Sequence, residues 1–308
     1  MKKKIALFLC AALAVLLGGC RVHVPLGLGG YITGEEYPDA EKYRTGAFSY
    51  SADEISAVEV YWRCGEVEIV ESDGAELAVR ESGSELPEGS AMHFLLDGEV
   101  LRTRFCASGA KIQVNEADKH LRLEVPKGIS LSVHTTSAPV RADALEQKDI
   151  LIAAHSGCTR LGAVTAGRVD LSSSSGSIQA ESVSAQTLVC SALSGAVGLG
   201  EAAAQTIECS TSSGFVRMDG VDADSVGVTT SSGGVELTLA DVPEADVSTS
   251  SGDVTLTLGE GGAELLYASK SGKMQTELAW ERKGDLYVFG AGEGRLTVET
   301  ASGRLKIR

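Results

Sequence analysis

The stretch Ile207-Glu208-Cys209-Ser210-Thr211-Ser212-Ser213-Gly214-Phe215-Val216-Arg217-Met218 decides the fold, because its pattern recurs along the chain. Ser-Gly pairs end at Gly157, Gly176, Gly195, Gly214, Gly233 and Gly252, and every interval is nineteen residues. Ser137-Ala138 stands nineteen residues before Gly157, with alanine in place of glycine. A further pair ends at Gly272, one residue late, and a last one ends at Gly303 after a longer insertion.

Columns emerge when each glycine is taken as the reference. Two residues after it stand Ile178, Val197, Val216, Val235 and Val254, and two further on Ala180, Leu199, Met218, Leu237 and Leu256. Five before it stand Ile152, Leu171, Cys190, Cys209, Val228 and Val247; seven before it, Ile150, Val169, Leu188, Ile207, Val226 and Ala245. Alternation at period two on both sides of the Ser-Gly pair predicts two short strands per repeat, with Val216 inside and Arg217 outside. Glycine is expected at the bend for its tolerance of positive φ, and serine for its bonds to nearby backbone. The unit is too short for a propeller blade and lacks a helical period. The expected fold is all-β: a β-solenoid of about nineteen residues per coil, equivalent residues stacking at about 4.8 Å.

Met1-Lys2-Lys3-Lys4 followed by the thirteen apolar residues Ile5 to Leu17 reads as a signal peptide over residues 1–19. Leu17-Gly18-Gly19-Cys20 resembles the lipobox of bacterial lipoproteins, which implies diacylation of Cys20 and an extracytoplasmic location on the cell membrane. Residues 20–47 read as a lipid-anchored tether. Residues 48–135 read as irregular first coils and an N-terminal cap, continuous with regular coils and a C-terminal cap over 136–308. Strand candidates in the cap are Ala57–Trp62, Val67–Val70, Leu77–Arg80, Val100–Phe105 and Leu121–Val125. Leu286–Phe289, Arg295–Val298 and Arg304–Ile307 are expected to close the far end.

Composition narrows the function. The 42 acidic residues outnumber 27 basic ones, three of which lie in the signal peptide, so the surface cannot neutralise a phosphate backbone and no nucleic-acid partner is expected. Aromatic residues are 5% against 43% hydrophobic, which suits a thin core of small side chains.

With these repeats in hand, the chain resembles the bacterial "putative adhesin" domains of unknown function from about Tyr37 to Arg308. The resemblance rests on Tyr37-Pro38-Asp39-Ala40-Glu41-Lys42-Tyr43, Val58-Glu59-Val60-Tyr61-Trp62 with Gly65-Glu66-Val67-Glu68-Ile69, Leu121-Arg122-Leu123-Glu124-Val125-Pro126 and the recurring Ser-Ser-Gly-x-Val-x-Leu. It implies a right-handed, single-stranded β-helix, often carried on envelope lipoproteins.

No nucleophile elbow, zincin, P-loop or calcium-repeat motif is present, so no catalytic residue, cofactor or metal site is assigned and an enzyme is not expected. His155-Ser156 does not make a base and nucleophile, because adjacent strand residues point to opposite faces. Asp219, Asp222 and Asp224 read as a solvated acidic turn rather than a calcium site, having no stacked partner column. Five cysteines follow Cys20. Cys190 and Cys209 share an inward phase in successive coils, and Cys64 and Cys106 share the cap, so both pairs are candidate disulfides; apolar core packing as thiols is the other reading.

One surface pattern is regular enough to be a site. Ser172 and Ser174, Ser210 and Ser212, Thr229 and Ser231, and Ser248 and Ser250 stand four and two residues before their glycines, interrupted by Leu193 in the coil of Ser191. Stacking makes them a double ladder of hydroxyls, suited to a cell-wall glycan or an envelope protein; turn chemistry alone is the competing reading. The expected role is an adhesin-like binding or spacing module. An accessory role in cell-envelope stress sensing and a polysaccharide lyase or hydrolase with an unrecognised site are the alternatives. Cys20→Ala should abolish lipid attachment and signal-peptide maturation, read by detergent partitioning; a processed variant that still partitions as a lipoprotein removes the assignment.

Overall fold

A computed structural model describes residues 31–83, 87–113, 119–259 and 261–308 of the chain; Cys20, the signal peptide and the start of the tether lie outside them. Five strands of fifteen residues form the middle: Val140–Ala154, Thr159–Ser173, Ile178–Ala192, Val197–Thr211 and Val216–Thr230. Each pairs in parallel with the next at an offset of nineteen residues, so Thr159 faces Ile178, Ile178 faces Val197 and Val197 faces Val216.

Burial shows how a single strand closes a coil. In Val216–Thr230 the inward residues are Val216 and Met218, then Val221 and Ala223, then Val226, Val228 and Thr230. Inward residues of a straight strand recur every second position. The three-residue steps from Met218 to Val221 and from Ala223 to Val226 therefore mark two bends, and the Ser-Gly pair makes a third. A third inward column, Leu145, Val164, Val183, Ala202 and Val221, completes the core. The sequence pattern had supplied only two inward runs per repeat, because this face carries at most one large apolar residue in each coil and only alanine, Ala202, in one. Val216 is fully buried and Arg217 exposed, as the alternation required.

The repeated glycine has a different cause from the one expected. None of the repeated glycines from Gly157 to Gly252, nor Gly272 or Gly303, has a positive φ; such values belong to loop glycines such as Gly65, Gly98 and Gly128. What excludes a side chain is the coil beneath. A Cβ on Gly195 would lie 1.9 Å from the carbonyl oxygen of Gly176, and one on Gly214 would lie 1.8 Å from that of Gly195.

Three residues before Gly214, Gly233, Gly252 and Gly303 a buried threonine hydroxyl bonds the same corner, whereas Ala154 and Ala192 hold that place before Gly157 and Gly195, and the Ser173 hydroxyl before Gly176 meets no partner among the described residues. Thr230, Thr249 and Thr300 accept the backbone N–H of Gly233, Gly252 and Gly303 at 2.8–2.9 Å. Thr211 instead donates to the carbonyl of Gly214 at 2.8 Å and lies 3.1 Å from the Thr230 hydroxyl. The desolvation cost of these inward hydroxyls is thus offset by local backbone partners.

Both ends of the stack depart from chain order. Ala57–Trp62 lies between Val100–Arg104 and Ser130–Thr135, and Glu66–Ser72 lies between His120–Pro126 and the start of Val140–Ala154. Antiparallel strands then cover the N-terminal edge: Glu76–Ser82 on His120–Pro126 with Phe48–Ser51 beyond it, and His93–Asp97 on Val100–Arg104 with Arg44–Thr45 beyond it. Lys119 plugs this end. It is fully buried, with Nζ 2.6 Å from Glu81 Oε1, donating to the Ser90 and Phe105 carbonyls, and lying over the Trp62 and Phe105 rings.

At the other end Gly303, not Gly272, takes the rung above Gly252, and Gly272 stacks on Gly303. Gly294–Thr300 and Leu305–Ile307 are therefore interposed within the stack, where the sequence had suggested a closing cap. The closure comes from the hairpin of Glu281–Lys283 and Leu286–Gly290, which pairs antiparallel with Gly262–Ser269.

The glycine ladder yields a paired test. Gly214→Ala should cost about 3 kcal/mol, because backbone must move to admit the methyl group. Gly198→Ala, where a Cβ meets nothing within 4 Å, should change stability by no more than about 0.5 kcal/mol. Equal shifts of the two variants in urea unfolding would remove close stacking as the cause.

Candidate functional site

The eight hydroxyls of the expected face all point outward. Ser172, Ser210, Thr229 and Ser248 fall in one register column with Ser191, running straight across five coils. Ser174, Ser212, Ser231 and Ser250 lie beside them at the corner, where backbone bonds join the coils: Ser232 N–H to Ser212 at 2.9 Å, Ser251 N–H to Ser231 at 3.1 Å. No described residue hydrogen-bonds to any of these eight side chains. Outward hydroxyls are thus unspent, whereas the inward Thr230 and Thr249 are committed to the corner. Leu193, half exposed, interrupts the corner column.

The column does not start at Ser172. Below it the register continues through Ala153 to His134, Tyr61 and Arg104. The Arg104 guanidinium lies 3.8 Å over the Tyr61 ring, and the Tyr61 and His134 rings stack at 4.9 Å with an interplanar angle of 11°. The Ser132 hydroxyl is 3.0 Å from His134 Nε2, and burial holds the imidazole below its ordinary pKa. Sequence reasoning missed this cluster, because its members come from positions 104, 61 and 134 and share no repeat spacing. At the far end the column passes to Glu299.

Several charges elsewhere on the surface meet partners. A cleft of about 470 Å³ is lined by Glu66, Glu68, Glu71, Arg141 and Asp143. In it Arg141 binds Glu66 at 3.1 Å, and Arg122 and Lys127 reach in to Glu68 and Glu71. Asp219 is taken by Arg217 Nε at 2.6 Å, leaving Asp222 and Asp224 exposed. Among the described residues no group of three or more His, Cys, Asp or Glu is placed to hold a metal ion.

With the coil, its ladders and this face described, the chain can be set beside known proteins. The family model Toastrack DUF4097 matches residues 55–308. The chain belongs to that family. A structure described as a "putative adhesin" from Parabacteroides merdae is 14% identical, with a TM-score of 0.50 over 87% of this chain and 96% of that one. A "putative lipid binding protein" from Parabacteroides distasonis is 13% identical, with a TM-score of 0.51 over 87% of this chain and 97% of that one. At these identities the likeness concerns the fold. No curated protein sequence matches the chain.

The thiols of this Toastrack chain fall into distinct environments. Cys190 and Cys209 are register partners in adjacent coils, both buried, and are thiols rather than a disulfide. No disulfide joins Cys64 to Cys106 either. Parallel stacking aims successive Cβ atoms in the same direction, so proximity of Cα atoms does not bring the sulfurs into bonding geometry. Burial pushes the Cys209 thiol up to about 12 and Cys190 well above its ordinary value. Cys158 is the contrast: a hydrogen bond from Ser177 lowers its pKa, and its side chain is partly exposed. The thiolate is the nucleophile. At pH 8, alkylation of the folded protein should therefore modify Cys158 well before Cys190 and Cys209, which should react only on unfolding. Peptide mapping checks the order, and intact mass with and without reductant checks the absent bonds.

Proposed function

We propose that this Toastrack chain is a non-enzymatic, adhesin-like binding module of the bacterial cell envelope, wound as a right-handed single-stranded β-helix of nineteen residues per coil. A diacylated Cys20 ties it to the outer side of the cell membrane, and residues 31–308 carry the binding face away from the bilayer. The observation that carries this reading is the column of outward hydroxyls from Ser172 to Ser248, in register across five parallel coils and bonded to no described residue.

A flat sheet whose strands are about 4.8 Å apart presents one hydroxyl per coil at that interval. Each hydroxyl both donates and accepts. A polysaccharide lying along the stack can meet several of them without a charged group on either partner. The similarity to structures described as "putative adhesin" supports the same class of role. Cell-wall glycan is the proposed ligand.

Replacing Ser210, Ser212, Thr229 and Ser231 together with lysine tests the face. The side chains point outward, so the β-rich circular dichroism should survive, while retention on purified cell wall should fall sharply. A folded variant retained as well as the parent removes this face as the binding surface.

A further inference from the structure

Next in sequence after Ser251-Gly252-Asp253-Val254 comes Ser271-Gly272-Lys273-Met274, yet the adjacent place in the stack is taken by Ser302-Gly303-Arg304-Leu305. Gly294–Thr300 pairs with Glu244–Thr249 on one side and Gly262–Ser269 on the other, and Leu305–Ile307 pairs with Val254–Leu258 and Met274–Thr276. A segment from the far side of a hairpin has thus been laid between two coils that are consecutive in the chain.

The fit of that segment is specific. Leu296, Val298, Leu305 and Ile307 are buried, and Thr300 accepts the Gly303 N–H at 2.8 Å. A Cβ on residue 303 would lie 1.9 Å from the Gly252 carbonyl, so only glycine is admitted there. Asp253 receives the Arg304 backbone N–H at 2.8 Å and its guanidinium at 2.7 and 3.1 Å. Arg295 stands in register between Glu244 and Glu264. The place therefore selects Ser-Gly-cation-aliphatic. The regular repeats carry Cys158, Ser177, Ala196, Phe215, Gly234 or Asp253 where the cation must stand, and Ser271-Gly272-Lys273-Met274 already forms the neighbouring coil. Gly290 and Gly292, with φ of 62° and 72°, form the turn that leads into the segment.

We propose that Gly294–Arg308 is an exchangeable strand, and that a second copy of this chain supplies it in trans. The sequence that best meets the demands of the place is that of the same segment on another copy, and swapping an identical element costs little because every contact is re-formed. Extended segments that add to sheet edges gain affinity from main-chain bonds and selectivity from alternate side chains, and both are present here. Exchange leaves the coils from Val140 to Thr230 intact, since the segment pairs with none of them. It is independent of the glycan-binding reading, because the eight hydroxyls are unchanged by it.

Thr255 and Lys306 are register partners, and Glu236 is the partner of Thr255 on its other side. In full chains carrying Cys158→Ser, a Thr255→Cys chain is mixed with a Lys306→Cys chain of different tag mass and treated with a short bismaleimide, which bridges parallel side chains without requiring disulfide geometry. A cross-linked product holding one copy of each should appear and grow with protein concentration. It should be lost when the Lys306→Cys chain also carries Gly303→Val. The double variant Thr255→Cys/Lys306→Cys, cross-linked within one chain at high dilution before mixing, should no longer join a second copy. Glu236→Cys, displaced by one coil, reports random collision. Absence of the mixed product, or an equal yield from Glu236→Cys and Thr255→Cys, overturns the proposal.

Discussion

At each Ser-Gly corner two backbones approach so closely that a methyl group on the upper coil would sit 1.8–2.0 Å from the carbonyl oxygen of the lower one, from Gly157 through Gly252 to Gly303 and Gly272. The rest of the stack depends on that contact being open. A side chain there would hold the corner away from the spacing that the parallel backbone bonds set along each coil, and with it the register that stacks the aliphatic columns inside. Ala138 stands at the foot of the series: Gly157 must be bare above its carbonyl, whereas Ala138 itself carries a methyl group. A burial of about 1.5–3 kcal/mol per aliphatic side chain is then collected in continuous columns rather than in isolated contacts.

The same corner divides the hydroxyl residues into two populations. Thr230 and Thr249 face inward and spend their oxygens on the glycine N–H groups three residues on. Ser210, Thr229 and Ser248, one residue earlier, face outward, their hydroxyls bonded to no described residue. A shift of one residue exchanges the two sets, so the outward face exists only because the inward one is held in register. This links the fold to its proposed use: the hydroxyl column is straight because the glycine rungs are.

The two ends solve different problems. At the N-terminal end the outermost coil is overlaid by antiparallel strands, and Lys119 is retained in the core by Glu81, two carbonyls and two aromatic rings. Desolvation lowers the lysine pKa while Glu81 acts to raise it; a buried pair of this kind adds little net stability, but removing either partner would leave the other charge buried and uncompensated. At the C-terminal end Glu281, Arg282 and Lys283 form one exposed edge, and Met274–Thr276 also pairs on one side only. Charged side chains on the first edge discourage pairing with stray strands.

A strictly periodic sequence folded into a stack displays its contacts in one dimension, since residue i meets residue i + 19 throughout the middle. The solenoid, its core columns from Ile150 to Val254, and the outward placement of Ser172, Ser210, Thr229 and Ser248 were legible for that reason. The physical basis of the glycine was not, because the requirement arises from a carbonyl in another coil and has no local signature. The third inward face was hidden because it carries at most one large apolar residue per coil, and the two candidate disulfides rested on shared phase without sulfur geometry. Arg104, Tyr61 and His134 meet only because Ala57–Trp62 is interposed between Val100–Arg104 and Ser130–Thr135, and Gly303 displaces Gly272 by the same kind of interposition. Local periodicity determines which residues face inward and which follow one another along a coil. The order in which coils stack is decided in three dimensions, where non-sequential segments compete for the same glycine rung and the best-matched hydrogen bonds, apolar contacts and charges prevail.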